Sequence, residues 1–119
     1  MYTLKKEKIL RKNSQFQMVY HRGKSYANRY MVLYVFSEAG GGNRVGFAAG
    51  KRLGNAVARN RAKRLLREAY RLQQGKIKQN WQLLLVARKP MVDVKCEIVE
   101  RALLDLLRKS RLIEEKAAR

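Results

Sequence analysis

The stretch GNAVARNRAKRLLREAYR, residues 54–71, carries the strongest structural pattern in this chain. Wound as an α-helix at about 100° per residue, it collects small and apolar side chains on one face at alternating spacings of four and three. These positions are Ala58, Ala62, Leu65, Ala69 and Leu72. The opposite face is predicted to carry Arg59, Asn60, Lys63, Arg64, Arg67 and Arg71. The pattern predicts a basic helix, within residues 54–73, that is buried on one side and cationic on the other.

The cationic face suits phosphate groups. An arginine fork binds two oxygens at once, and side chains held on a packed helix lose less entropy on binding. A charged helix face is more often simply solvated, but such faces normally mix signs, and Glu68 is the only acid in this stretch. The whole chain has 28 Lys and Arg against 9 Asp and Glu, a net charge of +19 and a pI near 10.8. Such an excess is tolerated mainly when a polyanion neutralises it, so we predict a polyanionic partner, with RNA favoured.

Composition narrows the remaining function classes. With 119 residues and 46% hydrophobic content, the chain is expected to form a single domain, 1–119, with one modest core. No apolar run is long enough to span a bilayer, and no apolar segment follows the basic N-terminus, so we expect neither membrane insertion nor secretion. Cys96 is the only cysteine, which fits the reducing cytoplasm. Cys96 and His21 are far apart and the acids are few, so we expect no catalytic or metal site in the protein.

The pattern along the chain predicts an α+β fold. Its elements are expected to be a basic arm (1–12), a short helix capped at Asn13 or Ser14 and ended by Gly23, a strand (26–36), a hairpin loop (39–43), a returning strand (44–50), the basic helix (54–73), a central strand buried on both faces (81–88) and a C-terminal scaffold helix (93–110). The order αββαβα indicates helices packed on a small mixed sheet, a single-domain sandwich.

Three aromatic residues have two possible roles. Phe16 and Tyr20 share a face of the first helix, and Tyr34 lies on the first strand. They could belong to the core, which is the usual place for aromatics at helical spacing. They could equally form a platform for single-stranded nucleic acid, because Gly46, Ala48 and Gly50 leave room beside them. The residues alone leave the two interpretations balanced.

One segment also carries a family likeness. Residues 51–68, KRLGNAVARNRAKRLLRE, closely resemble the RNR signature of the bacterial ribonuclease P protein subunits. The matches in order and spacing extend to Phe16-Gln17, Tyr20, Gly23, Ala27-Asn28-Arg29 and Val86-Ala87-Arg88-Lys89-Pro90. The likeness spans essentially the whole chain. It departs at Tyr20, where phenylalanine is common, and in the glycine-rich loop.

The resemblance implies a fold, a partner and residue roles. The fold would be an α+β sandwich with a left-handed βαβ crossover, against the general right-handed rule, as in a domain of some ribosomal proteins. The partner would be a catalytic RNA that cleaves precursor tRNA at its 5′ end with Mg²⁺ held mainly by the RNA, so the protein would be a non-catalytic subunit. Phe16, Tyr20 and Tyr34 would line a cleft for the 5′ leader. The catalytic RNA would contact Arg59, Asn60, Lys63, Arg64 and Arg67. To these we add the other basic residues between positions 51 and 71, which are Lys51, Arg52, Arg61 and Arg71.

Three other functions compete with this one. A ribosomal or ribosome-assembly protein that binds rRNA structurally would have the same charge, but it would need no aromatic cleft for a mobile strand. A DNA-binding module is less favoured, because the basic helix offers almost no short polar side chain except Asn60 and has no paired preceding helix, so no DNA partner is expected. A stand-alone nuclease lacks catalytic groups.

Overall fold

The computed structural model describes residues 9–10, 12–38, 40 and 42–114. Within them, helices pack on both faces of a four-stranded sheet. The elements are α1 (Asn13–Arg22), β1 (Lys24–Ala27), β2 (Met31–Ser37), β3 (Arg44–Ala48), α2 (Ala56–Gln73), β4 (Trp81–Ala87) and α3 (Cys96–Lys109), with 3₁₀ helices at Lys51–Leu53, Gln74–Lys76 and Lys89–Asp93. The predicted α+β class is confirmed.

The sheet has the order β1-β2-β4-β3. β2 is antiparallel to β1 and β4, whereas β3 runs parallel to β4. The apolar run of β4 therefore lies in the middle of the sheet, almost wholly buried, as its sequence predicts. The parallel pair makes β3–α2–β4 the βαβ unit that the family resemblance implies.

The expected strand over 26–36 is wrong, because the chain turns back within it. Oδ1 of Asn28 accepts hydrogen bonds from the backbone N–H groups of Tyr30 and Met31, at 3.0 and 3.1 Å. This side-chain turn separates β1 from β2. Nδ2 of Asn28 donates to the carbonyl of Ala102 on α3 at 3.0 Å, which ties the turn to the helix layer.

The expected hairpin between the second and third segments is also wrong. β4 lies between β2 and β3. Both faces of β4 are apolar, so a central position buries more of its surface than an edge position would. Asn43 secures this arrangement at the start of β3. Its Nδ2 donates to the carbonyl of Lys78 at 2.8 Å, and its Oδ1 accepts from the backbone N–H of Trp81 at 2.9 Å.

Helix ends follow local hydrogen bonds. α2 begins at Ala56, two residues later than expected, because Oδ1 of Asn55 caps it by accepting from the N–H of Ala58 at 2.9 Å. α1 is preceded by Lys12, whose backbone N–H donates to Gln15, rather than by a cap at Asn13 or Ser14. Gly23 ends α1 as expected. α3 begins at Cys96 rather than residue 93, after a 3₁₀ turn that contains Pro90.

The main core lies between the sheet and the helices α2 and α3. The core face of the sheet carries Met31, Leu33, Val35, Val45, Phe47, Leu83 and Leu85. α2 buries Ala62, Leu66, Ala69, Tyr70 and Gln73, so its stripe is centred nearer Leu66 than expected, and Ala58, Leu65 and Leu72 are only half-buried at its edges. Leu66 and Tyr70 contribute most of the apolar area that the helix buries, because they are its largest buried apolar side chains. α3 buries Val99, Ala102, Leu103, Leu106 and Leu107. Its apolar spacing predicts the same stripe with Ile98 added, but Ile98 is only half-buried.

The opposite face of the sheet, called the α1 face here, is only partly covered. Val19 of α1 forms a small buried cluster with Leu84 of β4 and Leu10. Ile9 makes a parallel bridge to Val45, and the N–H of Leu10 donates to the carbonyl of Val45 at 2.8 Å. The end of the expected basic arm therefore lies along the outer edge of β3. Residues 1–8 and 11 of that arm lie outside the described residues.

Candidate nucleic-acid interface

The outward side of α2 forms a cationic surface. Asn60, Lys63, Arg64 and Arg67 are all exposed and lie within about one quadrant of the helix at its regular spacing; we call them the α2 ridge. The side chains of Asn60, Lys63 and Arg64 make no hydrogen bond or ion pair with any residue that the structure describes. Their donors are therefore free for an external acceptor.

Arg67 and Arg59 mark the border of this ridge. The Arg67 guanidinium carbon lies 5.5 Å from the centre of the Phe47 ring, a cation–π contact that restrains the side chain at the edge of β3. Arg59 is half-buried rather than exposed. Leu66 follows it by seven residues, which is about two helical turns, so the two residues lie on the same side of α2. The expected position of Arg59 opposite the buried stripe is therefore wrong.

Two other predicted RNA contacts have partners within the protein. Arg71 donates to both carboxylate oxygens of Glu68, at 3.1 and 2.7 Å. The helical spacing allowed Glu68 to pair with either Arg64 or Arg71, and the structure shows Arg71. This hydrogen bonding lowers the pKa of Glu68 and raises that of Arg71. Arg61 lies on another side of α2, where it donates to the carbonyls of Val92 and Val94, at 3.3 and 3.5 Å. Both residues are therefore less available to an external ligand than the ridge.

The three predicted aromatic residues do gather on the α1 face. The rings of Tyr20 and Tyr34 have centroids 5.0 Å apart and are tilted by 49°. Tyr20 is 50% exposed, whereas Phe16 and Tyr34 are half-buried. Burial, and after it the neighbouring Tyr20 hydroxyl, raise the pKa of Tyr34 above its ordinary value. We call these three rings the aromatic group.

One expectation about the small residues is wrong. A Cβ atom at Gly46 would lie 2.7 Å from Cε1 of Phe16. The space beside Gly46 is thus filled by the Phe16 ring rather than left open for a ligand. The glycine lets the Phe16 ring pack directly against the backbone of β3.

An apolar row next to Tyr34 was not predicted. Val86 on β4 is the cross-strand neighbour of Val32 on β2 and of Ala48 on β3, and all three are half-buried on the α1 face. We call them the open row. Period-two alternation does place Val32 with Tyr34, but the strand register that joins Val32 to Val86 depends on tertiary pairing.

Cations surround the end of the sheet nearest the open row. The segments that leave β3 and β4 and enter β2 carry Arg29, Lys51, Arg52, Arg88 and Lys89, all exposed; we call these residues the rim. The 3₁₀ helices Lys51–Leu53 and Lys89–Asp93 pack together, so their cations are near one another. Lys51 and Arg52 were predicted site residues. Arg29, Arg88 and Lys89 were noted in the family resemblance but given no role.

The described residues offer binding groups more than proton-transfer groups. No cluster of three or more His, Cys, Asp or Glu side chains occurs among them. Burial and the adjacent Glu100 raise the pKa of Cys96, which keeps its thiol protonated. No helix in the described part of the chain is both long and apolar enough to cross a membrane.

Comparison with known proteins identifies this combination of fold and basic helix. The family described as Ribonuclease P matches residues 4–111. The chain belongs to the ribonuclease P protein family. It is 42% identical over 104 residues to the ribonuclease P protein component of Alkaliphilus metalliredigens, covering 87% of this chain and 94% of the relative. It is 44% identical over 106 residues to that of Clostridium botulinum strain Loch Maree, covering 88% and 96%.

Solved structures agree with this assignment. The Staphylococcus aureus RNase P protein superposes with a TM-score of 0.81 at 31% identity, covering 92% of this chain and all of that one. The Thermotoga maritima RNase P protein gives a TM-score of 0.76 at 29% identity, covering 89% and 97%. The chain is thus the protein component of a ribonucleoprotein endoribonuclease whose RNA is catalytic, and its partner is that RNA. Nothing in these comparisons favours a ribosomal protein.

Proposed function

We propose that this ribonuclease P component binds its catalytic RNA through the α2 ridge and the rim, and the single-stranded 5′ leader of precursor tRNA through the aromatic group and the open row. The observation that carries this proposal is the pairing of two kinds of surface in one small domain. One presents exposed cations, of which Lys63 and Arg64 have no internal hydrogen-bond partner among the described residues and Arg88 donates to the carbonyl of Asn28 at 3.0 Å. The other presents aromatic and apolar groups that are only partly covered.

The ridge fits a structured RNA backbone. Lys63 and Arg64 project from a helix whose other side is packed into the core, so binding costs little additional ordering. Their donors are free of internal acceptors, so phosphate contacts do not have to displace an existing partner. Phosphate binding by such groups releases counterions, which makes the affinity steeply dependent on salt.

The aromatic group fits an unpaired strand. Tyr20 exposes half of its surface and is supported from below by Tyr34, which leaves a ring face for a base. The half-buried Val32, Ala48 and Val86 continue this surface toward the rim, where cations can bind the phosphates of the same strand. A leader bound here would be held by stacking and charge rather than by base-specific hydrogen bonds.

The protein contributes charge to the cleavage reaction. Mg²⁺ bound by the RNA supplies the chemistry in this proposal, and the described protein residues lack a three-member carboxylate cluster for it. The net charge of +19 offsets phosphate repulsion between the RNA and precursor tRNA, so less Mg²⁺ is needed. We also propose a cytoplasmic location, which fits the single cysteine and a tRNA-processing complex, and no DNA ligand.

Cleavage of precursor tRNA at low Mg²⁺ by a bacterial ribonuclease P RNA tests this proposal. Adding the protein should restore 5′ cleavage, and the protein without RNA should give none. A variant carrying Lys63→Ala and Arg64→Ala should restore much less, whereas Lys95→Ala, a cation at the start of α3, should behave as the wild type. Cleavage by RNA-free protein, or no rescue by the wild type, would contradict the proposal.

A further inference from the structure

A second basic pocket lies at the far end of the sheet. It is on the side where β4 begins and β2 ends, whereas the rim surrounds the side where β4 ends. Its volume is about 520 Å³, within the range of ligand pockets. Four cations and three aromatic residues line it: Arg22, Lys24, Lys109, Arg111, Tyr26, Phe36 and Trp81. None of the described residues that line it is acidic, and we call it the Trp81 pocket.

Arg111 has an unusual backbone conformation just beyond the C-terminal end of α3. Its φ is +64°, in the left-handed region that favours glycine. The N–H of Leu112 donates to the carbonyl of Leu107 at 3.0 Å, which closes the helix end in the way that normally places glycine at this position. Leu112 and Ile113 are buried, so the segment is fixed. A strained arginine where glycine is preferred points to a role for its side chain.

Stabilisation of helix C-termini accounts for only some of the four cations in the pocket. Arg22 and Lys109 lie in the last turns of α1 and α3, where cations stabilise the helix dipole. Lys24 on β1 and Arg111 beyond α3 have no such role. Arg22, Lys24 and Arg111 make no ion pair with a described residue, and Lys109 makes one, with Asp105 at 3.3 Å. An adjoining pocket shares Lys109 and Arg111 and extends the basic surface to Lys78 and Arg108, beside Glu114.

Trp81 provides a rigid ring beside these cations. It is half-buried against the core, and its backbone N–H is held by Asn43. Its indole N–H has no acceptor among the residues that the structure describes. An aromatic ring with one free donor, next to unpaired cations, matches an unpaired base with its phosphates.

We propose that the Trp81 pocket is a second RNA-binding site of this protein, taking one unpaired nucleotide. Its base stacks on Trp81 and its phosphates contact Lys24, Lys109 and Arg111. The site is distinct from the aromatic group, because Trp81 packs with the main core on one face of the sheet whereas Phe16 and Tyr34 pack with the small cluster on the other face. It shares no lining residue with the α2 ridge. One protein can therefore hold two RNA segments at once.

Intrinsic fluorescence gives a direct test, because Trp81 is the only tryptophan in the chain. The full-length protein is titrated with a short oligoadenylate and with an abasic strand of equal length. Stacking should quench the emission with oligoadenylate, and the abasic strand should bind more weakly without quenching. Arg111→Gly should raise the dissociation constant obtained from quenching roughly fivefold, since one phosphate contact is lost. The same variant should melt at a higher temperature, since glycine relieves the left-handed conformation.

Matched variants separate this site from the others. Lys95→Ala removes an equal charge from the opposite end of α3 and should leave the titration unchanged. Tyr20→Ala and Lys63→Ala should also leave Trp81 quenching unchanged, even if they abolish leader or catalytic-RNA binding, so the two proposals can fail independently. Titration with precursor tRNA and with the catalytic RNA shows which of them supplies the nucleotide.

Three results would overturn the proposal. The first is the absence of quenching by every RNA tested. The second is quenching that Arg111→Gly and Lys24→Ala both leave intact. The third is displacement of oligoadenylate by polyglutamate as efficient as by RNA, which would make the pocket a site for an acidic protein segment.

Discussion

The ring of Phe16 lies directly on the backbone of Gly46, where a Cβ would come within 2.7 Å of Cε1. The Phe16 ring thus reaches from α1, which packs on β2 and β4, to the backbone of β3. A methyl group at this position must therefore displace the Phe16 ring.

Replacing Gly46 by alanine should destabilise the protein by about 1–3 kcal/mol, the usual cost of overpacking a close contact. It should also reduce the affinity for precursor tRNA relative to mature tRNA, because Phe16 is displaced. Gly50→Ala is the matched control, since a Cβ there meets nothing within 4 Å. Urea unfolding of both variants gives the comparison, and an unchanged midpoint for Gly46→Ala would contradict the close contact.

Removing the Tyr20 ring should affect leader binding more than folding. Tyr20 is half exposed, so Tyr20→Ala should cost about 1–3 kcal/mol of affinity for leader-bearing precursor tRNA and little for mature tRNA, which has no leader. The measurement is the ratio of the two affinities in the holoenzyme, together with a denaturant melt.

The half-buried Phe16 and Tyr34 should behave differently from Tyr20. Their alanine variants should lower both the affinity ratio and the stability, because they also pack in the cluster around Val19. If the ratio stays constant in all three variants while the melts fall, the aromatic group is purely structural.

Substitutions in the α2 ridge should change how strongly RNA affinity depends on salt concentration. Lys63→Ala and Arg64→Ala should each weaken binding to the catalytic RNA and reduce the slope of log affinity against log salt by about one unit per lost phosphate contact. Arg61→Ala is the control on the same helix. Its guanidinium bonds to the carbonyls of Val92 and Val94, so we expect lower stability and a nearly unchanged slope. Equal slope changes in all three variants would contradict this division of roles.

Tyr70 should make the protein sensitive to strong alkali. Burial raises its pKa to about 12, from about 10 in the unfolded chain. Below pH 10 both states keep the proton, but between pH 10 and 12 the unfolded state alone loses it, so stability falls by about 2–3 kcal/mol as the pH rises through this window. Tyr70→Phe should remove this part of the decline. Between pH 9 and 12 the unfolding free energy of the wild type should therefore fall relative to that of the variant. A difference between the two that does not change with pH would rule out the raised pKa.

Local patterns were sufficient for the helices and for the ridge. Lys63, Arg64 and Arg67 are separated by one to four residues on one regular helix, so their common direction follows from its geometry alone. The burial of β4 follows from its unbroken apolar run for the same local reason. Asparagine at position 28 favours a turn, because its side chain can accept hydrogen bonds from the following backbone N–H groups. The β-forming residues on both sides of Asn28 favoured one continuous strand instead.

The amino-acid sequence by itself determined the cationic helix, the buried central strand and the family to which the protein belongs, because each depends on residues that are neighbours along the chain. Only the tertiary structure decided that β4 separates β2 from β3, that Val32 meets Val86, and that Arg61 has partners in the segment before α3. It also brought Lys24, Trp81 and Arg111 to one pocket. The physical reason is that strand register and side-chain pairing reflect competition among many distant contacts of similar energy, which no local pattern resolves.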